Sequence, residues 1–520
     1  MSRKLMAVAG VLALAGTALA AAPAQADPAF TVKTTDVIGV GSDTTMLAVT
    51  AIADGATVGG VKVPGYNEGR TTGRIASWDA LVGGNSPTIS LYSGAPAIPR
   101  PNGSGAGKAL LYGPGNNPDV DFARSSSSLN DAEKNAGLQQ IPFALDALES
   151  ASAKTTNVPA NLTIDQIVKI YKGEVQDWAQ VGGMPGTIVP LIPQTGSGTR
   201  SFFLGELKKA NGGVDVTLAA SVKETQEHSD VDVKSNPNAI VPFSVGRAKL
   251  AGTVKLHTGW RAERAVYNVV RGTELGTYTG TGVFGSAGFV CSPQAKLLIE
   301  AGGLEQLAVA PNGVCGEPTQ AATTDFRTNT ATVRATTTTL SAVRSGNNAA
   351  TLKATVAAGG AAAQGAVKFY DGSKYLATLT ITQGTASLKK SGLTATKHTF
   401  KAVYVPTAGT NFTGSTGSKA LAVKTGSTVA YTGDRTISRL AYAKFAIKVR
   451  RTDSTTVRPQ GNLYVYKNGV KIKSYTLDVW GNRNISVPPT TKAARYLVKV
   501  SYAGSTYVNP SSASFYVTTS

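Results

Sequence analysis

The hydrophobic rhythm of this chain changes once, near residues 318–335, and that change limits what it can fold into. From about 35 to 315, short β-branched runs such as Asp36-Val-Ile-Gly-Val40 alternate with helix-like segments such as Ile164 to Tyr171. Strands alternating with helices predict an α/β layered fold. Beyond 335 the helix period is lost. Two-residue alternation replaces it, as in Ala366-Val-Lys-Phe-Tyr370 and Tyr496-Leu-Val-Lys-Val-Ser-Tyr502, with Gly, Asn and Asp turns between the runs. That pattern predicts an all-β region. The stretch between them is rich in Thr, Ala and Gln and reads as a linker.

Charge divides at the same place. Residues 27–320 carry 23 basic and 26 acidic side chains, whereas residues 321–520 carry 26 basic and only 5 acidic. A nearly neutral body is joined to a strongly basic tail, and the formal net charge of +20 resides in the tail. With 42% hydrophobic residues the 520-residue chain can bury several cores, which excludes disorder throughout. Two cysteines and three histidines exclude a cysteine-rich scaffold, zinc fingers and iron–sulfur clusters.

The first 26 residues have the pattern of an export signal. Arg3 and Lys4 precede the apolar stretch Met6 to Ala20, and Ala24-Gln25-Ala26 forms a small-x-small cleavage site. No cysteine lies near that site, so a secreted or cell-surface, non-lipidated protein is expected. Export permits a disulfide. Cys291 and Cys315 are expected to form one, the alternative being two buried free thiols.

The β region repeats itself at an interval of about 97 residues. Gly365-Ala-Val-Lys-Phe-Tyr-Asp-Gly372 is echoed by Gly461-Asn-Leu-Tyr-Val-Tyr-Lys-Asn-Gly469, each a strand entering an Asp-Gly or Asn-Gly hairpin turn. His398 to Tyr404 is echoed by Arg495 to Tyr502. The interval suits a β-sandwich. The segments resemble Ig-like repeats of bacterial surface proteins, which implies tandem Ig-like sandwiches over 333–425 and 426–520.

Four Gly/Ser/Thr-rich segments stand out in the body. They are Gly39-Val-Gly-Ser-Asp-Thr-Thr45, Asn102-Gly-Ser-Gly-Ala-Gly-Lys108, Asp121-Phe-Ala-Arg-Ser-Ser-Ser-Ser128 and Thr195-Gly-Ser-Gly-Thr-Arg200. A helix N-terminus offers free N–H groups and a partial positive charge, and glycine lets the backbone approach a ligand. Taken singly, each is an ordinary turn or cap; together they favour a composite oxyanion site. No P-loop pattern is present. Residues 35–315 resemble the phosphate-binding proteins of ABC importers, members of the type II periplasmic-binding-protein fold. Gly196-Ser-Gly-Thr199 is similar to that family's Gly-Ser-Gly-Thr loop. Leu162-Thr-Ile-Asp-Gln166 with Tyr171, Gly173 and Trp178 is similar to its recurring helix.

The resemblance implies a two-lobe α/β domain over 27–320 that binds phosphate or a related small oxyanion. It implies a ligand set of Ser42, Asp43, Thr44, Ser104, Gly105, Arg124, Ser125, Ser126, Gly196, Ser197, Gly198, Thr199 and Arg200. Two departures matter. Ser126 stands where the family has an acidic acceptor, and Pro193 stands where it has a basic residue. Arg124, first, or Arg200 is expected to restore the positive charge, and Asp43 the acceptor. Glu227-His228-Ser229-Asp230 is expected to be a helix start with an exposed histidine. No catalytic group, cofactor or metal is expected. Expected partners are an importer permease and, through 321–520, anionic wall polymers, with no specific nucleic acid; a monomer is expected. The alternative is a surface or adhesive protein with a degenerate cleft.

Overall fold

The computed structural model describes residues 27–81, 83, 85–279, 282–407 and 410–520. The expected export signal, residues 1–26, lies outside them. The described chain divides into two compact units that do not follow linear boundaries. One takes residues up to Ala53, Gly69–Ser286 and Gly302–Thr328, and the other Asp54–Glu68, Ala287–Ala301 and Asn329–Ser520. Both cysteines, Cys291 and Cys315, are disulfide-bonded. No helix among the described residues is long and apolar enough to cross a membrane.

The first unit is built on one mixed sheet. Strands β1 (Val37–Gly41), β2 (Ile75–Ser77) and β3 (Phe122–Ser125) run parallel, with β1 between the other two. Next comes β4 (Leu138–Ala153), 16 residues long. It is followed by a second parallel group, β5 (Val189–Pro193), β6 (Lys223–Thr225) and β7 (Ala239–Ser244). The 18-residue β8 (Val254–Arg271) then pairs antiparallel with β4 along most of its length. At roughly 3.4 Å per residue these two strands extend about 54 and 61 Å. One end of β8 pairs with β3, and the opposite end of β4 pairs with β7. Two parallel flanks are therefore joined by two shared strands, giving the order β6-β5-β7-β4-β8-β3-β1-β2.

Helices follow the strand ends. α1 (Met46–Asp54) follows β1, and the short α2 (Ser104–Lys108) precedes β3. α3 (Ile164–Tyr171) shows why its sequence starts a helix there. Thr163 accepts from Gln166 N while the Gln166 side chain accepts from Thr163 N, a reciprocal capping box. Ile167, Val168, Ile170 and Tyr171 then face a core shared with Trp178, Phe203 and Trp260. α4 (Gly198–Ala210) is capped by Ser197, whose Oγ accepts from Arg200 N.

The second unit is predominantly β. Strands Thr337–Gly346, Ala349–Ala357 and Thr385–Lys390 form a three-stranded sheet, and Lys374–Thr380, Gly365–Asp371, Lys397–Pro406 and Ser415–Ala422 a four-stranded one. Their core holds Leu352, Val367, Phe369, Phe400 and Tyr404. A three-stranded and a five-stranded sheet follow, around Ile447, Leu463, Val465, Tyr496 and Tyr502. The sequence echo has a structural counterpart. Tyr404 Oη donates to Gln364 O at 2.6 Å, and Tyr502 Oη donates to Gln460 O at 2.8 Å. Each acceptor precedes a glycine at positive φ, Gly365 and Gly461. The Asn-Gly turn also forms as expected: Asn468 and Gly469 both have positive φ and join antiparallel strands.

Candidate functional site

The β-strand ends and helix starts of the first unit's two flanks meet in one buried polar cluster. From the first flank come Ser42 and Thr44 after β1, Ser104 at the start of α2, and Ser126 after β3, each fully buried. From the second come Gly198 and Thr199 at the start of α4, with Glu227 and His228 after β6. Ser126 Oγ lies 3.1 Å from Ser42 Oγ, 3.2 Å from Thr44 Oγ1 and 3.3 Å from Ser104 Oγ. Across the flanks, Thr44 Oγ1 lies 3.3 Å from Thr199 Oγ1. The approach is close enough to require glycine at 198. A Cβ there would stand 2.3 Å from Ser104 Oγ and 2.4 Å from Ser126 Oγ.

The cation of the cluster comes from the shared strands. Arg264 on β8 is the cross-strand partner of Asp146 on β4, and its Nε and Nη2 both donate to Asp146 Oδ2, at 3.0 and 2.8 Å. Arg264 Nη2 also reaches Thr199 Oγ1 at 2.9 Å and Thr44 Oγ1 at 3.3 Å, one hydroxyl from each flank. Arg264 Nη1 donates to Ser126 O at 3.1 Å. Ser244 Oγ fills the other carboxylate oxygen, donating to Asp146 Oδ1 at 2.6 Å. A buried charge pair held by this many hydrogen bonds keeps the guanidinium in one orientation.

His228 is not an exposed residue at a helix start. Its side chain is buried, it sits in a turn at φ 55°, and its ring packs on Phe243. Ser244 N donates to His228 Nδ1 at 3.4 Å, so the ring proton resides on Nε2, 2.9 Å from Thr44 Oγ1. Burial, with Arg247 and Arg264 nearby, holds the imidazole well below its ordinary pKa, so it is neutral. Thr44 thus accepts from His228 and Arg264, and its own proton points to Glu227 Oε1 at 3.2 Å. Thr199 N, in the first turn of α4, donates to the same oxygen at 3.1 Å.

Several residues expected in the ligand set stand elsewhere. Arg124 is fully buried but turns to Ser77 Oγ at 2.5 Å and Ser42 O at 3.2 Å. Burial lowers its pKa to about 10, against the pull of Asp79, Asp43 and Asp27. Arg200 points away, pairing with Glu224 at 2.5 Å and with Pro193 O. Asp43 pairs with Arg247 at 2.8 Å, and burial raises its pKa to about 6. Ser197 is occupied as the cap of α4, and Ser125 Oγ donates to Ser127 O. Gly105 N donates to Gly196 O at 3.0 Å, tying the second and fourth motifs together. A cavity of about 390 Å³ opens beside that contact, bordered by Gly105, Gly196, Lys108, Glu133 and Phe202. Among the described residues no cluster of His, Cys, Asp and Glu could hold a metal ion.

Arg264, Asp146 and Glu227 were not singled out from the sequence. The first two become neighbours only through the register of two strands 118 residues apart. Glu227 adjoins the histidine that sequence analysis did mark.

Fold and cluster together define a class, an α/β domain built on one mixed sheet with a buried polar cluster where its two flanks meet. The chain belongs to the PBP superfamily domain family, whose model matches residues 90–407. Solved structures that it matches include a protein from Clostridium perfringens described as a phosphate ABC transporter substrate-binding protein, with bound phosphate. That match has 19% identity over 52% of this chain and 99% of that one, with a TM-score of 0.39. An ABC-type phosphate transport receptor from Vibrio cholerae matches with 20% identity over 52% of this chain and 98% of its own, TM-score 0.35. Fibronectin(III)-like modules of CbhA from Clostridium thermocellum match 35% of this chain and 94% of their own at 17% identity, TM-score 0.20. No curated protein matches the chain.

Proposed function

We propose that this chain is an exported binding protein whose first unit captures phosphate or a related small oxyanion. The observation that carries the reading is the meeting, at one buried point, of Thr44 and Thr199 hydroxyls from opposite flanks with Arg264 Nη2. Ser42, Ser104, Ser126 and the Thr199 N–H surround that point. Donors from both flanks around one fixed guanidinium suit a small tetrahedral anion. The chemistry is capture without covalent change, and delivery to an importer permease is the partner role this reading implies. In this reading the chain is organised as a signal over 1–26, a binding domain over 27–320, and Ig-like sandwiches over 333–425 and 426–520. The two sandwiches hold the protein on anionic wall polymers through their excess of basic side chains.

The test is calorimetric titration of the full mature chain with phosphate, beside sulfate and a phosphomonoester. Saturable binding of one of these is expected, weakened by about a hundredfold in Arg264→Ala, as suits loss of a buried charged donor. Absence of heat with all three ligands would overturn the reading. One observation favours a second reading, a surface protein whose cleft has lost its ligand: the amide at the start of α4 is already taken by Glu227.

A further inference from the structure

Glu227 is 1% exposed, and its Oε1 collects two donors, Thr199 N at 3.1 Å and Thr44 Oγ1 at 3.2 Å. These belong to opposite flanks, and one is the first-turn amide of the 13-residue α4. An anion at a helix N-terminus takes this place. The other carboxylate oxygen, Oε2, is buried and has no hydrogen-bond partner among the described residues. An unpaired buried acceptor is destabilising, so the open Oε2 calls for a reason beyond packing.

The segment bearing Glu227 is clipped in place from both flanks. Gln226 and Asn102 exchange side-chain amide hydrogen bonds at 3.0 and 3.1 Å. Glu227 N donates to Gln194 Oε1 at 2.7 Å, leaving the buried Gln194 Nε2 without a partner. His228 occupies a left-handed backbone conformation that a non-glycine residue rarely adopts. Apart from the His228 ring on Phe243, these contacts are polar, and none of them is a strand-to-strand ladder bond of the sheet.

We infer that Glu227 is a built-in anion, seated on the donors that an incoming oxyanion needs. This rests on the oxyanion reading above. Two negative groups sharing one buried set of donors repel each other, so capture requires the Gln226–His228 segment to swing aside. Part of the ligand's binding energy is spent on that displacement, and the resting affinity is set below what the donors alone would give. The carboxylate thereby sets a threshold concentration for capture.

The experiment is titration of the full mature chain with inorganic phosphate and with sulfate, comparing wild type, Glu227→Gln, Glu227→Ala and Arg264→Ala. Removing the internal charge is expected to tighten phosphate binding by about ten- to a hundredfold. The near-isosteric Glu227→Gln keeps the test usable if Glu227→Ala misfolds. Equal or weaker binding in the Glu227 variants, with wild-type binding intact and Arg264→Ala impaired, overturns the built-in anion; weaker binding would make Glu227 a ligand contact instead. No binding by any of the four proteins overturns the oxyanion reading and this inference with it.

Discussion

Two arginines illustrate how position decides a residue's work. Arg264 points its free edge at hydroxyls from both flanks, whereas Arg124 spends its donors on Ser77 and on backbone carbonyls. Substituting them should therefore have different consequences. On the proposed reading, Arg264→Ala acts on anion affinity. Arg124→Met should instead lower the unfolding free energy by about 3 kcal/mol, because it leaves Asp79 buried without its main counter-charge; chemical denaturation reads this directly. Asp79 and Asp43 add a pH dependence. Burial raises both pKa values from 3.8 to about 6. Between about pH 4 and 6 the folded state thus retains protons that the unfolded chain releases, and stability from these groups falls as pH rises. It is fully present below pH 4 and lost above 6. Asp79→Asn should accordingly raise the denaturation midpoint relative to wild type more at pH 7.5 than at pH 4.5. An equal effect at both pH values would contradict the assignment.

At the scale of elements, local rules succeed where neighbours in sequence decide the structure. The Thr163–Gln166 box starts α3, and Thr163→Ala should lower stability by about 1 kcal/mol in the same denaturation measurement without touching anion binding. The Asn468-Gly469 turn and the cap at Ser197 likewise follow from adjacent residues. Four Gly/Ser/Thr-rich motifs were legible as parts of one composite site, and Ser42, Thr44, Ser104, Ser126 and Thr199 from them do meet. Illegible were the partners supplied by register. Nothing near Arg264 in the sequence announces Asp146, because only the pairing of β4 with β8 makes them opposite one another. His228 was misread for a related reason. A polar loop usually faces solvent, but here it is folded inward by contacts from Asn102, Gln194 and Ser244, three separate stretches of chain.

At the scale of the whole molecule, the proposed reading gives a nearly neutral body and a basic tail two modes of attachment governed by different physics. Binding in a buried, paired site is weakly screened, whereas attraction of scattered surface lysines and arginines to a polyanion is strongly screened. Retention on an anionic wall preparation should therefore collapse between about 50 and 500 mM salt, while phosphate affinity changes by less than threefold; a pelleting assay beside titration at both salts would check it. Retention that survives high salt would point instead to a specific contact in the sandwiches. The Arg264–Asp146 pair has a consequence of its own. It sits on the two strands that both flanks share, so on the proposed reading any parting of the flanks would turn about it as a lever turns about its fulcrum. In such a motion the charge would stay still while the hydroxyls travel. A ligand arriving at an open cleft would meet the guanidinium already aimed, and closure would decide only how many hydroxyls join it.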